Sequence, residues 1–454
     1  MLANLIKSSL SRFPPIGRRI EEVRRLRRAN ATQAAELSAQ AAELAARHDR
    51  LAALTDALTA RTNALDALTG RFARVPSPGL TDSDAARHTE RLLAHATGPQ
   101  APTAVLGSHP ADDRPNRTRV AARLIEAYHA ALRDEARSPL KREGDDMWTG
   151  LLRSELPELL AAIDRRDPEG LARYLQTFGT SYVWFGGITT CVDGYSPGLA
   201  PEQVALTYLD KLVCLAESLG VLRIENPESG PWGENLRVDP DRLVDGIAQV
   251  TGIDPSPPLG IIHTDGLQTG RGLFHYRHVN ALHAALRVAA STPAGGAVCE
   301  FGGGLGITAL YARRLGVSRY TILDLPITCL LAGHYLLHAL GEDAVSLYGE
   351  PDPGTGVRLL PYWDCLTLGS RSVALTLNQD SLPEIADNLV QAYLHEIRRI
   401  TTDAFLSINH ESDHPRTVAR FVHAAGGYTP VYRARCWVRE GYVEELFRPL
   451  GSTR

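Results

Sequence analysis

Leucines repeat at every seventh position near the amino terminus of this 454-residue chain. The repeat comprises Leu37, Leu44, Leu51, Leu58 and Leu65, and the positions three residues before them hold Ala34, Ala41, His48, Thr55 and Thr62. This spacing places a narrow apolar seam along one face of a helix. The pattern predicts a basic segment and a coiled-coil helix over residues 1–75. That helix either pairs with a second copy of the chain or docks on the rest of its own chain.

A stretch rich in proline, glycine, serine and aspartate follows at residues 76–118 and indicates a linker. From residue 119 to residue 290, apolar residues recur at helical spacing, for example at Leu124, Tyr128 and Leu132. We therefore expect a mainly helical domain here, which forms a lid or part of a substrate site. The remaining residues, 291–454, follow a different pattern and are predicted to form a separate domain.

Short apolar runs alternate with longer stretches over residues 291–454. Runs of this length are typical of buried strands. We predict five strands. The first two end at Glu300 and Asp324, and the others cover residues 344–348, 372–377 and 404–408. Residues 431–438 and 442–447 then suggest an antiparallel hairpin. The fold class is therefore α/β, a Rossmann-like doubly wound sheet with a carboxyl-terminal hairpin, and ligands should bind beyond the carboxyl ends of its strands.

The first predicted strand opens into a turn that contains Gly302, Gly303, Gly304 and Gly306. Glycine lets the backbone approach a ligand closely, and the helix that follows points its free N–H groups at that ligand. The second strand ends in Asp324, whose carboxylate can accept hydrogen bonds from both ribose hydroxyls of a nucleoside. Together these features predict a pocket for a nucleoside-containing cofactor.

Two kinds of cofactor compete for this pocket. The nicotinamide fingerprint G-x-G-x-x-G/A can be placed on Gly304, Gly306 and Ala309. In that register the fingerprint starts three residues beyond the strand end, whereas a dinucleotide-binding turn normally follows the strand directly. The alternative register, E-x-G-x-G-x-G from Glu300, resembles motif I of class I S-adenosylmethionine-dependent methyltransferases. In that resemblance Asp324 is the ribose-binding acid. The predicted hairpin is also typical of this class, so we expect S-adenosyl-L-methionine as the cofactor.

Further blocks resemble the sugar O-methyltransferase family of bacteria, over about residues 265–450. EFGGGLG is followed by YTILDLP, and NQDSLPEI begins at Asn378, with Ile385 where methionine is usual in the family. The resemblance implies an O-methyltransferase that acts on a sugar hydroxyl of a polysaccharide, glycolipid or glycosylated natural product. We place Leu325 and Asn378 among the cofactor-binding residues as well. The alternatives are a non-sugar small-molecule acceptor and, in a different class, an NAD-dependent oxidoreductase.

A sugar hydroxyl is a weak nucleophile at neutral pH and benefits from a general base. Such a base should lie at the tips of the fourth and fifth strands, where the methyl group would point. His410 is the first choice because the ordinary pKa of histidine lies near neutrality, and Asp380 and Glu411 are the other catalytic candidates. Candidate substrate contacts are Arg271, His275, Tyr276, Arg277 and Glu384.

Composition restricts the setting further. A net charge of −4 does not indicate the overall basic charge that is typical of nucleic-acid-binding proteins. Six scattered cysteines suggest neither a disulfide framework nor a zinc site, and the acidic residues have no spacing that demands a metal. Without an apolar run that could span a bilayer and without signal-peptide features, we expect a cytoplasmic enzyme. Arginines among residues 18–28 allow at most a weak contact with anionic membrane surfaces.

Overall fold

The computed structural model describes residues 14–74, 104–108, 117–142, 147–180, 184–185, 188–189, 200–226, 228, 233–258, 260–411 and 416–451. The chain divides into two compact units, Met1–Ala67 and Leu68–Arg454. The linker predicted at residues 76–118 lies mostly outside the described residues. The boundary predicted at residue 290 stays a prediction.

One long helix, α1, extends over Pro14–Arg74 and contains 61 residues. It begins at two prolines, which suit the first turn of a helix because their missing N–H groups would have no acceptor there. The seam leucines Leu37, Leu44, Leu51 and Leu58 keep 60–67% of their surface exposed, and the side chain of Leu65 lies outside the described ones. The long helix is therefore present, while its self-association stays a prediction.

The described residues between 117 and 291 form mostly helices. These are α2 Arg117–Glu135, α3 Met147–Glu155, α4 Pro157–Asp164, α5 Pro168–Thr177, α6 Pro201–Ser218, α7 Pro240–Thr251 and α8 Tyr276–Ser291. Capping residues define some of the helix starts: the carboxylate of Asp167 accepts the N–H of Gly170 at 2.8 Å and begins α5. Across the part of the chain that the structure describes, no helix is both long and apolar enough to cross a membrane.

Five short strands accompany these helices. They are β1 Leu106–Ser108, β2 Trp184–Phe185, β3 Ile188–Thr189, β4 Asp265–Thr269 and β5 Gly272–Phe274. All pair in antiparallel fashion, as β1–β4–β5 and as β2–β3. The first of these sheets leads directly into α8, the helix before the main sheet.

An eight-stranded sheet organises the carboxyl-terminal part. Its strands are β6 Ala297–Phe301, β7 Arg319–Asp324, β8 Val345–Ser346, β9 Gly356–Pro361, β10 Val373–Gln379, β11 Thr401–His410, β12 Tyr428–Arg435 and β13 Tyr442–Pro449. They lie in the order β12-β13-β11-β10-β6-β7-β9-β8. Strands β6 to β11 pair in parallel, and β13 is antiparallel to both β11 and β12. The predicted fold class, a Rossmann-like doubly wound sheet with a terminal antiparallel hairpin, is confirmed.

The predicted third strand is confirmed only as a short strand at the edge of the sheet. Within residues 344–348 only Val345–Ser346 pairs, as the edge strand β8, and the third central strand is β9. The sequence conceals β9 because Arg358 interrupts its apolar run. The Arg358 side chain is partly exposed and reaches Asp352, with 3.5 Å between Nη1 and Oδ2.

Two apolar cores cover the two faces of the sheet. Successive strand residues point to opposite faces, so Val298 and Ile322 belong to one core and Cys299 and Leu323 to the other. The first core contains α8, α9 Ile307–Arg314 and α10 Pro326–Leu340, and it continues into α2, α4 and α6. The second contains α11 Asp387–Ile400 and α12 Val418–Ala425. Because the first core is continuous, residues of the helices and of the sheet can line one cavity.

Candidate functional site

A cavity of about 490 Å³ opens at the carboxyl ends of β6, β7, β10 and β11. This edge of a doubly wound sheet is where ligands bind, because the strand order reverses there. One side, the sheet wall, consists of residues 300, 302–305, 307–308, 323–325, 328, 362, 379–381, 384–386, 389, 393, 410 and 439–442. The other side, the helical wall, consists of Arg142, Trp148, His263, Arg277, Asn280 and Ala281.

The glycine turn after β6 contributes backbone to the sheet wall, through Gly302, Gly303 and Gly304. Gly302 has φ of +76°, and a Cβ there would overlap the hydroxyl of Ser381. Gly306 precedes α9 with φ of +75° and lies outside the lining, because Leu336 packs where its Cβ would be. The turn therefore requires glycine for its own conformation, in addition to any close approach of a ligand.

Glu300 lies buried beside this turn. Its carboxylate accepts hydrogen bonds from Tyr320 Oη at 2.8 Å and from Gln379 Nε2 at 3.1 Å. Burial raises the pKa of Glu300 to about 7, against the lowering effect of these two hydrogen bonds. The same Gln379 amide donates to Thr308 Oγ1 at 2.9 Å. One side chain thus joins β6, β10 and the start of α9 around the turn.

Asp324 is placed at the tip of β7 as predicted, and it lines the cavity together with Leu325. Its Oδ2 accepts the N–H of Gly304 at 2.9 Å, and its Oδ1 accepts the N–H of Leu325 at 2.7 Å. Burial raises the pKa of Asp324 to about 6, against these backbone hydrogen bonds. Each carboxylate oxygen has a second acceptor position, so the ionised group can still bind two ligand hydroxyls.

Asp380 follows β10 with φ of +61°, a conformation that residues other than glycine rarely adopt. Arg439 Nη2 lies 3.0 and 3.1 Å from its two carboxylate oxygens, and Arg277 Nη1 lies 3.7 Å from Oδ2. Burial would raise the pKa of Asp380, but the two guanidinium groups hold it below its usual value. A carboxylate in this state is a weak base. The position of Asp380 favours a structural role, in which its carboxylate joins α8 to the turn of the terminal hairpin.

His410 ends β11 and lines the cavity beside Glu384. The two side chains approach to 3.5 Å between Nε2 and Oε1, and the His410 ring meets that of Tyr442 edge to face, with centroids 5.9 Å apart. The hydrogen bond to Glu384 raises the pKa of His410, although burial and Arg439 act in the opposite direction. A histidine that is oriented by a carboxylate is the arrangement that base catalysis uses.

Two predicted residues at the strand tips turn away from the cavity. The Asn378 amide is buried and donates to the carbonyl of Phe301 at 2.7 Å and to Ser381 Oγ at 2.6 Å. Glu411 is buried against β12, where Arg433 Nη2 donates to its two oxygens at 2.8 and 2.7 Å. Asn378 therefore supports the loop after β10, and Glu411 supports the hairpin.

Three predicted substrate contacts also lie outside the cavity lining. Arg271 is partly exposed and donates to Asp245 Oδ1 at 2.7 Å. His275 is fully buried, where its Nδ1 caps α8 by accepting the N–H of Arg277 at 3.3 Å. Tyr276 is buried beneath the same helix end. Of the predicted segment before the first strand of the main sheet, only Arg277 reaches the cavity.

Several cavity residues were not apparent from the sequence. In the hairpin turn, Arg439 stacks on Tyr442, with 3.4 Å between the guanidinium carbon and the ring centroid. In the helical wall, Trp148, His263 and Asn280 come from separate parts of the chain and from no motif. Gln379, Ser381 and Ile385 had a signal, since all three lie in the NQDSLPEI block.

No group of three or more His, Cys, Asp or Glu side chains among the described residues is placed to hold a metal ion. The acidic groups near the strand tips instead face arginines: Asp380 pairs with Arg439, and Glu411 pairs with Arg433. The described part of the chain therefore offers no set of donor atoms for a metal ion.

No protein-family model matches the chain, and no curated protein matches it. Solved structures with which it shares similarity include methyltransferases. One is a protein from Pyrococcus horikoshii proposed to be an RNA methyltransferase, at 18% identity and a TM-score of 0.28, with 39% of this chain and 83% of that chain covered. Another is the geranyl diphosphate C-methyltransferase from Streptomyces coelicolor, solved with S-adenosyl-L-homocysteine, at 12% identity and a TM-score of 0.29, with 38% and 80% covered. A third is the CcbJ methyltransferase from Streptomyces caelestis, at 16% identity and a TM-score of 0.29, with 38% of this chain and 90% of that chain covered.

Proposed function

We propose that the protein is an S-adenosyl-L-methionine-dependent methyltransferase. The observation that carries this proposal is the sheet order, in which β13 runs antiparallel and lies between β11 and β12. A nicotinamide-binding sheet has the order 3-2-1-4-5-6 and continues with a sixth parallel strand on this side. Here a reversed pair of strands takes that place, which favours the methyltransferase over the oxidoreductase.

The residues of the sheet wall suit this cofactor. Both oxygens of Asp324 keep an acceptor position for ribose hydroxyls beside the glycine turn. Leu325, Leu389 and Tyr393 supply apolar surface for a flat base.

Isothermal titration calorimetry of the purified full chain tests the proposal. S-adenosyl-L-methionine, S-adenosyl-L-homocysteine and NADH are titrated separately. We expect one-to-one binding of both sulfur compounds and no heat of binding from NADH. Binding of NADH without binding of either sulfur compound would assign the protein to the oxidoreductase class instead.

The reaction proposed is methyl transfer to a hydroxyl oxygen. When bound, the cofactor supplies a methyl group on a sulfonium centre that is already activated for transfer. The protein must align the acceptor and take up its proton. His410 would receive this proton, and the Glu384 carboxylate beside its Nε2 would stabilise the imidazolium that results.

A sugar hydroxyl is the proposed site of methylation. Support comes from the block that resembles the sugar O-methyltransferase family, because Gln379, Asp380, Ser381 and Glu384 of this block all line the cavity. The second candidate is a non-sugar small molecule with a hydroxyl group, which the same base would serve.

Methyl-tritiated S-adenosyl-L-methionine distinguishes these two acceptors. It is offered to the protein with a panel of methyl glycosides and, separately, with phenolic and aliphatic alcohols. We expect alkali-stable label in one or more glycosides, as an ether requires. Label in the non-sugar alcohols alone would favour the second candidate.

Helix α1 is proposed to pair with a second copy of the chain, because its seam leucines are exposed and repeat every seven residues. Light scattering after size exclusion should give an oligomer, which Leu44→Glu with Leu51→Glu dissociates. The control, Ala46→Glu with Ala53→Glu, adds the same charge on the opposite helix face and should leave the oligomer intact. A monomeric wild-type chain at tens of micromolar would contradict the pairing.

A further inference from the structure

An asparagine of the helical wall is buried without a partner for its amide oxygen. Asn280 lines the cavity from α8, and only 6% of its surface is exposed. Its Oδ1 has no hydrogen-bond partner among the described residues. A buried acceptor that is left unpaired lowers the stability of a protein, whereas an apolar side chain of similar shape would not. The amide at this position therefore calls for a ligand as its explanation.

Position 280 belongs to the face of α8 that borders the cavity. Arg277, Asn280 and Ala281 lie three and four residues apart, which places them on one face of a helix, and all three line the cavity. The neighbours Val279 and Leu282 belong to the first apolar core instead. A short connection joins α8 to β6, so α8 runs antiparallel to that strand and begins at the edge where the cavity opens. The amide thus lies one helical turn deeper in the cavity than Arg277.

Contacts link this face of α8 to the proposed base. Arg277 Nη1 approaches Asp380 Oδ2 to 3.7 Å, and Arg439 Nη2 binds the same carboxylate at 3.0 and 3.1 Å. Arg439 in turn stacks on Tyr442, whose ring meets that of His410 edge to face. The cofactor groups at the glycine turn and at the tip of β7 have no part in this series of contacts. A ligand that touches both α8 and His410 is therefore the methyl acceptor.

An asparagine amide offers an acceptor, Oδ1, directly beside a donor, Nδ2. Two neighbouring hydroxyls of a sugar match this pair, because one can donate to Oδ1 while the other accepts from Nδ2. Exchanging the two ends of the amide leaves the match unchanged, since each hydroxyl can donate or accept. An isolated hydroxyl or a ring ether satisfies only one end.

We propose that Asn280 binds a vicinal pair of hydroxyls on the methyl acceptor. This inference rests on the proposed function, and it narrows the acceptor to sugars that carry a vicinal diol in addition to the hydroxyl that loses its proton to His410. A site built to hydrogen-bond a hydroxyl discriminates strongly against analogues that lack it, because the buried amide is then left unpaired.

Thermal unfolding of the ligand-free full chain tests the premise. Asn280→Leu removes the unpaired acceptor and adds apolar surface, so its unfolding midpoint should lie above that of the wild-type chain. If leucine does not fit, Asn280→Ala takes its place in every measurement, and its midpoint should not fall, because alanine also favours the helix more than asparagine does. A midpoint below that of the wild-type chain in both variants would show that the amide has a partner within the chain and would overturn the proposal.

Kinetics test the binding part, with the glycoside that the wild-type chain methylates fastest. Asn280→Leu loses both hydrogen bonds to the diol, so the KM for the glycoside should rise about tenfold or more. The affinity for S-adenosyl-L-homocysteine, measured by calorimetry, should stay within about twofold. The control, Asn226→Leu, changes an exposed amide outside the cavity lining and should change neither value.

Deoxy analogues of the same glycoside identify the hydroxyls that are bound. Removal of either member of the pair should raise the KM of the wild-type chain, and both losses should largely disappear in Asn280→Leu. The two hydroxyls concerned should be neighbours on the sugar ring. Equal losses in the wild-type chain and in Asn280→Leu, or a pair of hydroxyls that are not neighbours, would overturn the proposal.

Failure of this inference is distinguishable from failure of the proposed function. An unchanged KM in Asn280→Leu, with S-adenosyl-L-homocysteine still bound, would overturn the inference and leave the methyltransferase proposal in place. Weaker binding of S-adenosyl-L-homocysteine by Asn280→Leu would assign the amide to the cofactor and would overturn the inference as well. Failure of the wild-type chain to bind S-adenosyl-L-homocysteine would contradict the proposed function, whatever the unfolding midpoints of the variants are.

Discussion

The sheet wall and the helical wall of the cavity are built in different ways. Most polar groups of the sheet wall lie at or just after the ends of paired strands, and some are hydrogen-bonded to neighbouring strand tips, as Asp324 is to Gly304 and Gln379 is to Glu300. Groups of the helical wall come from residues 142, 148, 263, 277, 280 and 281, and they are held by ring contacts and by the apolar core that the helices share with the sheet.

This difference suggests a division of tasks. Backbone hydrogen bonds of a sheet fix positions closely, which suits a cofactor that must present its methyl group in the same place at every turnover. A wall assembled from helices and loops can vary without disturbing the sheet, which suits recognition of the acceptor. Changes in the sheet wall should therefore affect turnover or cofactor affinity, and changes in the helical wall should affect the KM for the acceptor.

The largest effect is expected from His410→Gln. Loss of a general base typically slows the chemical step by about 10²–10⁴-fold. Affinity for S-adenosyl-L-homocysteine should remain within twofold, because the substitution leaves the ribose and glycine contacts in place. Steady-state kinetics with labelled cofactor measure the first value and calorimetry the second. His423→Gln, on exposed surface, is the matched control, and normal turnover in His410→Gln would remove His410 as the base.

Asp324→Ala should produce the next largest effect. Removing a charged acceptor of two ribose hydrogen bonds should weaken S-adenosyl-L-methionine binding about 100-fold, which corresponds to about 3 kcal/mol. Calorimetry measures the loss, and Asp343→Ala, an exposed carboxylate outside the cavity, should bind as the wild-type chain does. An unchanged affinity in Asp324→Ala would mean that the ribose lies elsewhere.

A smaller effect is expected in the helical wall from Asn280→Ala. Asn280 lines the cavity on α8, and its Oδ1 is buried without a partner among the described residues. If the acceptor uses this amide, its loss should raise the acceptor KM about tenfold, the equivalent of one hydrogen bond. Cofactor affinity should stay within twofold. Weaker cofactor binding together with an unchanged KM for the acceptor would contradict the proposed division of tasks between the two walls.

The smallest effect is a change in pH dependence. Glu384 raises the pKa of His410, and a base is active only when it is deprotonated, so the rate should increase as the pH rises through this raised pKa. Glu384→Gln removes the carboxylate and lowers that pKa. The acidic limb of the pH profile of kcat should then move to lower pH. A limb that moves to higher pH, or stays in place, would show that Glu384 does not act on the base.

The sheet wall could largely be predicted from the sequence, because the residues that carry it follow strands directly. Glu300, Asp324 and His410 occupy the strand tips where the alternation of apolar runs placed them. The side of the strand was harder to predict. Successive residues point in opposite directions, and so Gln379 and His410 reach the cavity while their neighbours Asn378 and Glu411 turn inward.

The helical wall could not be predicted in the same way. The meeting of His263 with residues 142 and 148 depends on how α2 to α8 pack, and neither a motif nor a period in the sequence encodes that arrangement. Strand β9 was missed for a local reason, since Arg358 interrupts the run of apolar residues. His275 was misplaced because its ring caps α8 instead of lining the cavity.

A crystal structure of the full chain with S-adenosyl-L-homocysteine tests the central claim most directly. We predict that both ribose hydroxyls lie within hydrogen-bond distance of the Asp324 carboxylate. The sulfur atom should lie between the glycine turn and the pair formed by His410 and Glu384. A ribose bound away from Asp324, or a sulfur atom turned from His410 toward the far side of the cavity, would contradict both the cofactor site and the base.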